Sequence, residues 1–111
     1  MDDGPATAAA IGSVRQLVYN AADHSILFAE RTANFVWRVD LATGTIAVFA
    51  GTGAAVTSGD GGPALEAGVE RPSATAIDAQ GNIYVAEFAL SADIRRIDGT
   101  GVITTLVSQG G

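Results

Sequence analysis

Few residue types in this 111-residue chain can carry out chemistry. His24 is the only histidine, and there is no cysteine, so a second imidazole or a thiolate is not available within the chain. Glu30 and Glu87 each end an apolar stretch, and paired carboxylates can do acid–base work. Their recurrence at equivalent places indicates instead that each caps the turn that follows it. We therefore predict no catalytic residue, no cofactor and no metal site, with His24, in an exposed turn, as the one candidate ligand.

Two glycine-rich stretches invite a ligand-binding interpretation. In "SGDGGPA" (58–64) Asp60 is the lone carboxylate, whereas calcium loops supply several oxygen ligands at alternate positions. "FAGTGAAV" (49–56) has Val56 where a dinucleotide fingerprint needs its third glycine, and a chain without lysine has no P-loop. Both stretches are therefore predicted to be connecting turns, with Asp60 accepting backbone N–H groups and "PALEAG" (63–68) forming a short helical turn.

Composition excludes two classes of partner. The net charge is −6 with six arginines, so the chain would mostly repel a polyanion, and we predict no nucleic-acid partner. No apolar run approaches the roughly 18 residues of a membrane span, so no membrane partner is predicted. Hydrophobic residues make up 48% and charged residues 16%, which is typical of a folded domain. The compartment is left open.

The chain consists of two copies of one pattern. The matching segments are 2–14 with 60–72, 16–30 with 74–87, and 35–53 with 93–110. Pairs such as Pro5 and Pro63, or Gly44 and Gly101, set a period of 57 to 58 residues. We place the repeats at 1–57 and 58–111, each a connector followed by a blade.

Each copy predicts four short strands. "LVYNA", "SILFAE", "FVWRVD" and "TIAVFA" are rich in β-branched and aromatic residues and are separated by turn signals; the second copy repeats them. "ILFA" and "IYVA" are continuously apolar, as in strands buried on both faces. Four-stranded antiparallel sheets at this period are typical of β-propeller blades. Trp37 is predicted to pack between blades, and Arg38, Arg95 and Arg96 to pair with Asp40 and Asp98.

The segments "GDGGPA", "AIDAQGNIYVAE" and "IRRIDGTGVITTLV" resemble NHL-repeat β-propellers, most closely the bacterial type with "GDGGPA" connectors. The family usually has Asp after the second strand and an Asn-His-Arg-like stretch before the third; here Glu30 and Glu87 stand at the first place. The resemblance implies protein or small-ligand recognition at the strand-connecting rim. The rim candidates for ligand contact are Glu30, Arg31, Asn34, Glu87 and Asp93.

Two blades leave two apolar faces uncovered, while propellers close with about four to eight. We therefore expect copies to associate head to tail, "SQGG" of one meeting "DDGPA" of the next, as a dimer, trimer or tetramer. NHL-like rings usually have about six blades, so the trimer is preferred. The alternative is a fragment of a longer propeller.

The predicted function is a non-catalytic scaffold or binding module. The alternative function, by analogy of fold, is a metal-dependent lyase or lactonase using the central channel.

Overall fold

A computed structural model describes residues 4–5, 14–88 and 92–108, and within them it is built of strands and one short helix. The strands are β1 (Gly4–Pro5), β2 (Val14–Asn20), β3 (Ser25–Glu30), β4 (Phe35–Asp40), β5 (Thr45–Ala50), β6 (Pro72–Ile77), β7 (Ile83–Phe88), β8 (Ala92–Ile97) and β9 (Ile103–Ser108). The helix is a 3₁₀ turn over Ala64–Glu66, where "PALEAG" predicts one. No helix in the described ranges has the length and apolar character needed to cross a membrane.

The strands form two antiparallel sheets, one for each repeat. The first has the order β1-β5-β4-β3-β2 and the second the order β6-β7-β8-β9. Each sheet therefore contains the predicted four-stranded meander, called blade 1 (β2–β5) and blade 2 (β6–β9) below. The all-β prediction of two blades is confirmed, and β1 adds a two-residue strand along the edge of β5.

The two blades share their irregularities as well as their strand order. A β-bulge interrupts the pairing of β4 with β5 between Val36 and Trp37, and one interrupts β8 with β9 between Ile94 and Arg95. These positions are equivalent in the repeats. Because bulges bend a strand and redirect its side chains, both blades aim the same positions at the same faces.

Aspartate side chains build the tight turns at one end of the blades. Asp78 Oδ1 accepts hydrogen bonds from the amides of Gln80 (3.0 Å) and Asn82 (2.9 Å), and its Oδ2 accepts one from the Tyr84 hydroxyl (2.7 Å). The Tyr84 hydrogen bond, followed by that from the Asn82 side chain, lowers the pKa of Asp78 to about 2. In blade 1, Asn20 replaces Asp78 and accepts the Ala22 amide (3.1 Å).

The main hydrophobic core lies between the two blades. Its buried members are Leu27, Val36 and Ala50 of blade 1, Ala64, Ala67 and Val69 of the connector, and Ile83, Val85, Ile97 and Ile103 of blade 2. Burying a large aliphatic side chain contributes about 1.5–3 kcal/mol, so this junction dominates the stability of the blade pair.

A second cluster covers the opposite face of blade 1. Phe28, Trp37 and Ile46 are its buried members, and Phe35 meets Trp37 edge-on at 5.4 Å between ring centroids. Trp37 is thus buried, but on the face that turns away from blade 2. The prediction that Trp37 packs between blades therefore concerns a blade of another copy of the chain, and it stays a prediction.

The connector (residues 51–71) does more than join the blades. Pro63 bridges to Val102, and the Gly61 and Ala64 amides donate to the carbonyls of Ile103 and Gly101, each at 2.8 Å. The connector thus attaches to the outer edge of the blade that follows it. Pro5 pairs with Thr45 in the same way at the edge of blade 1. The rest of the first predicted connector, apart from Gly4, Pro5 and Val14, lies outside the described residues.

Candidate functional site

The candidate site is the end of the blades where β3 turns into β4, next to the connector. We call this region the connector rim; it comprises residues 31–34 and 51–71. The connector lies here because Gly51, at φ +106°, turns the chain sharply after β5, and its amide donates to Ala64 (3.0 Å). A Cβ at Gly51 would stand 2.6 Å from the Asn34 carbonyl oxygen, so only glycine allows this close approach.

The five rim candidates of the sequence occupy different environments. Glu30 and Asn34 in blade 1, and Glu87 and Asp93 in blade 2, are all buried, whereas Arg31 is half-buried. Arg31 and Asn34 share one cavity on the connector rim. Glu87 instead belongs to an internal polar network in blade 2.

Glu87 is the centre of that network. Its Oε1 accepts hydrogen bonds from the Thr57 hydroxyl (2.6 Å) and the Glu70 amide (3.2 Å), and its Oε2 accepts one from Arg95 (2.9 Å). Burial raises the pKa of Glu87, and the bonds from Thr57 and Arg95 oppose that rise. The prediction that Glu87 caps the turn after it is therefore wrong, because its Oε1 binds Thr57 and Glu70 of the preceding connector.

Arg95 ties the connector to blade 2. Its guanidinium donates to the carbonyls of Gly68 and Ser58, each at 2.8 Å, and to Asp60 Oδ1 at 2.9 Å. The predicted pairing of Arg95 with Asp98 is wrong, because Asp98 lies beyond the end of β8 and accepts hydrogen bonds from its own turn. The prediction that Asp60 caps its own turn is wrong too, since its carboxylate binds Arg95.

Of the other predicted arginine pairs, that of Arg38 with Asp40 is wrong, whereas the charge of Arg96 does act on Asp98. Arg38 pairs with Asp23, at 3.1 Å, and not with Asp40, whose Oδ1 accepts the Ala42 amide at 2.9 Å. Asp98 likewise serves its own turn: the Thr100 hydroxyl (2.6 Å), followed by turn amides and the charge of Arg96, lowers its pKa. Nε of Arg96 is buried without a hydrogen-bond partner among the described residues. The Asp40 and Asp98 carboxylates, which were expected to form ion pairs, thus accept hydrogen bonds from their own turns.

Blade 1 repeats the Glu87–Arg95 contact with different chemistry. The Trp37 indole Nε1 donates to Glu30 Oε1 at 2.7 Å, and both side chains are buried. Trp37 and Arg95 are equivalent positions of the two repeats, as are Glu30 and Glu87. The buried carboxylate is therefore a shared feature of the blades, and its partner varies.

His24 lies apart from the connector rim, in the exposed β2–β3 turn. Its Nδ1 is 2.9 Å from the Tyr19 hydroxyl, and its backbone has φ +56°. Gly81 occupies the equivalent position at φ +87°, so this place in the turn requires the left-handed conformation. Within the described ranges, no group of three or more His, Cys, Asp or Glu side chains is arranged to hold a metal ion.

The connector rim contains an open cavity of about 450 Å³. Its lining residues are Arg31, Thr32, Asn34, Ala55 and Arg71. Asn34 holds the cavity together, because its Oδ1 accepts the Arg71 amide at 2.9 Å and its Nδ2 donates to the Gly53 carbonyl at 3.4 Å. Arg71, Thr32 and Ala55 were missed by the sequence analysis. A usable signal was that Arg71 breaks the repeat, since Ser13 stands at the equivalent place.

A second open cavity, of about 330 Å³, lies at the opposite end of the blades. Asn20, Asp23 and Asp98 line it together with glycines of the turns. Asp23 already pairs with Arg38, and Asp98 already binds the groups of its own turn. The connector rim is therefore the better candidate for ligand contact.

Two antiparallel four-stranded blades, each tied at its outer edge to the connector before it, define the class of protein as NHL-type β-propeller blades. The family model described as the teneurin NHL domain matches residues 11–111. The chain belongs to this family, and the predicted resemblance to NHL repeats is confirmed. No curated protein matches the chain as a relative.

Proposed function

We propose that the chain is a non-catalytic building block of a closed NHL-type β-propeller. Copies associate head to tail, so that the outer face of blade 2 packs on blade 1 of the next copy. The closed ring then serves as a scaffold, or as a module that binds a protein or small ligand at its rim. This proposal is supported by a difference between equivalent faces of the two blades: the face is buried in blade 1 and partly exposed in blade 2.

One row of equivalent residues carries the proposal. In blade 1 the cross-strand row is Ala29, Val36 and Ala50, and each is 0% exposed. In blade 2 the same row is Ala86, Ile94 and Val107, in which Ile94 is 41% and Val107 is 45% exposed. Val36 and Ala50 of the first row belong to the core shared with the connector and blade 2. Removing the second row from water in the same way would be favourable because it is apolar.

The surface that would cover this row exists in every copy. Within the chain, the buried residues that blade 2 contributes to the junction are Ile83, Val85, Ile97 and Ile103. Their equivalents in blade 1 are Ile26, Phe28, Val39 and Ile46, and Ile26 and Val39 remain half-buried. A second copy can therefore repeat between chains the junction that joins the blades within one chain. A contact between two different surfaces of this kind propagates from copy to copy, and it forms a ring when the rotation between copies closes.

The ring size follows from two blades per copy. A dimer, trimer or tetramer contains four, six or eight blades, all within the range of about four to eight seen for propellers. We favour the trimer because the NHL-like propellers that this chain resembles usually have about six blades.

Substitution of the uncovered row tests the proposal. Ile94→Asp places a carboxylate in the proposed interface, whereas Leu65→Asp adds the same charge at an exposed position (57%) in the connector. Sedimentation velocity should give a ring for the unmodified chain and for Leu65→Asp, and a monomer for Ile94→Asp. Equal mass for Ile94→Asp and the unmodified chain, with both folded by circular dichroism, would reject this interface.

A further inference from the structure

Two arginines on the connector rim have no acidic partner within the part of the chain that the structure describes. Arg31 follows β3, and Arg71 precedes β6. Two other arginines have acidic partners: Arg38 pairs with Asp23, and Arg95 pairs with Glu87 and Asp60. In a chain with a net charge of −6, two unpaired guanidinium groups at one place form a local positive site.

Arg31 and Arg71 line the same cavity of about 450 Å³, although 40 positions separate them in the chain. The Asn34 side chain fixes their relation, since it accepts the Arg71 amide at 2.9 Å and reaches the Gly53 carbonyl on the other side. Asn34 is buried, so the side chain that joins the two sides of the cavity is itself held by packing. Thr32 adds a hydroxyl donor to the lining.

The backbone on both sides of the cavity is in a conformation that favours glycine. Asn34 has φ +62° and Arg71 has φ +48°. Asparagine tolerates the left-handed region, but an arginine there costs free energy that glycine would avoid. A strained residue that is not glycine supports a function for its side chain.

The repeat supplies an independent comparison. Residues that serve the blade architecture recur, as Glu30 and Glu87 do. Arg31 and Arg71 do not: their equivalents are Phe88 and Ser13. The two cations are therefore not required to build a blade or a connector, and they occur together only at this junction.

We infer that the cavity is a binding site for a small oxyanion, namely a phosphate or carboxylate group on a free small molecule. Guanidinium groups bind both through paired N–H donors, and two of them facing one cavity can hold an anion between them. A volume of about 450 Å³ lies within the range of about 300–1,000 Å³ typical of small-molecule sites. The site specifies the rim-binding role in the proposed function, but it does not depend on ring closure because one chain supplies all of its lining residues.

Titration with inorganic phosphate and, separately, citrate tests this site, with ¹H–¹⁵N NMR of the 111-residue chain at constant ionic strength. We expect saturable shifts at Thr32, Asn34 and Arg71 with at least one of the two anions. The responding anion identifies the group, phosphate or carboxylate. No saturation with either anion up to about 10 mM would overturn the proposal.

Three variants separate the site from general attraction of anions. Arg31→Gln and Arg71→Gly should each weaken binding at least tenfold, and glycine suits the φ of +48° at position 71, so the fold is kept. Arg38→Gln removes the same charge at the opposite end of blade 1 and should change affinity less than twofold. Equal weakening by all three variants would reject a defined site.

The Ile94→Asp chain separates this inference from the proposed ring. Binding should persist there, because the cavity is complete in one chain. Binding of the anion by a monomeric Ile94→Asp chain would support the site. It would leave the ring proposal to be decided by the sedimentation measurement alone. Loss of binding in a folded Ile94→Asp chain would overturn a site built by one chain alone.

Discussion

Arg95 Nη1 lies 2.9 Å from Glu87 Oε2, and the two side chains are 0% and 1% exposed. The same guanidinium holds two carbonyls of the connector, so one buried cation joins β7, β8 and the connector. In blade 1 an indole N–H takes its place, from Trp37 to Glu30. The equivalent contacts show that the blades conserve a buried carboxylate and vary its donor.

Replacing Arg95 should cost far more stability than replacing Arg38, whose ion pair is partly exposed. Arg95→Met leaves the Glu87 carboxylate buried without its cation and two connector carbonyls without their donor. We expect the free energy of unfolding to fall by about 3–5 kcal/mol in urea denaturation, as when other buried ion pairs lose one partner.

Arg38→Met provides the matched control. Its partner Asp23 has a side chain 43% exposed, so this pair should contribute only about 0–1 kcal/mol. Adding Glu87→Leu to Arg95→Met should restore part of the lost stability, since it removes the unpaired carboxylate. Comparable losses for Arg95→Met and Arg38→Met would contradict the assignment of Arg95 as the anchor of the connector.

Gly68 should be intolerant of even one methyl group. A Cβ there would collide with the Val56 carbonyl oxygen and lie 2.9 Å from Ser58 Oγ, where the two arms of the connector meet. Gly68→Ala should therefore lower the unfolding free energy by about 1–3 kcal/mol. Gly99→Ala, with nothing within 4 Å of the added Cβ, should change it by less than about 0.5 kcal/mol. Thermal denaturation of both variants checks this, and equal stabilities would refute the close approach.

Acid sensitivity should depend on the hydrogen bond from Tyr84 to Asp78. The folded-state pKa of Asp78 is about 2, below its ordinary 3.8, so its contribution to stability is complete above the ordinary pKa. That contribution is lost as the pH falls from 3.8 to about 2. Tyr84→Phe removes the largest cause of the lowered pKa and should make stability fall less steeply over this interval.

Tyr19→Phe is the control for this pH dependence, because the Tyr19 hydroxyl contacts His24 and no carboxylate. Urea denaturation at several pH values between 4.5 and 2 should give Tyr19→Phe the slope of the unmodified chain. An unchanged slope for Tyr84→Phe would show that the tyrosine does not set the pKa of Asp78.

Much of the fold could be predicted from the sequence because its determinants are local and occur twice. Strand composition, turn residues and the repeat period identified both blades, and pairs such as Gly44 and Gly101, both at positive φ, marked equivalent turns. The attachment of the connector to the outer edge of blade 2 was not predicted. It depends on Pro63 meeting Val102, which only the folded sheet brings together.

The polar contacts were harder to predict, since several candidates compete for each charge. Arg95 lies on the same face of β8 as Ile97, which signals burial, yet its partner Asp60 is 35 positions away. Arg38 pairs with Asp23 and not with Asp40, because the Asp40 carboxylate binds its own turn. The cavity on the connector rim brings Arg31 and Arg71 together through Asn34. Their spacing in the sequence gives no sign of this arrangement.

The native mass of the 111-residue chain tests the central proposal most directly. Light scattering coupled to size-exclusion chromatography, at two or more loading concentrations, measures it without any substitution. Head-to-tail closure with six blades predicts three times the 11.2 kDa mass of one chain, independent of concentration. A folded species at the mass of a single chain, at every concentration, would contradict the ring.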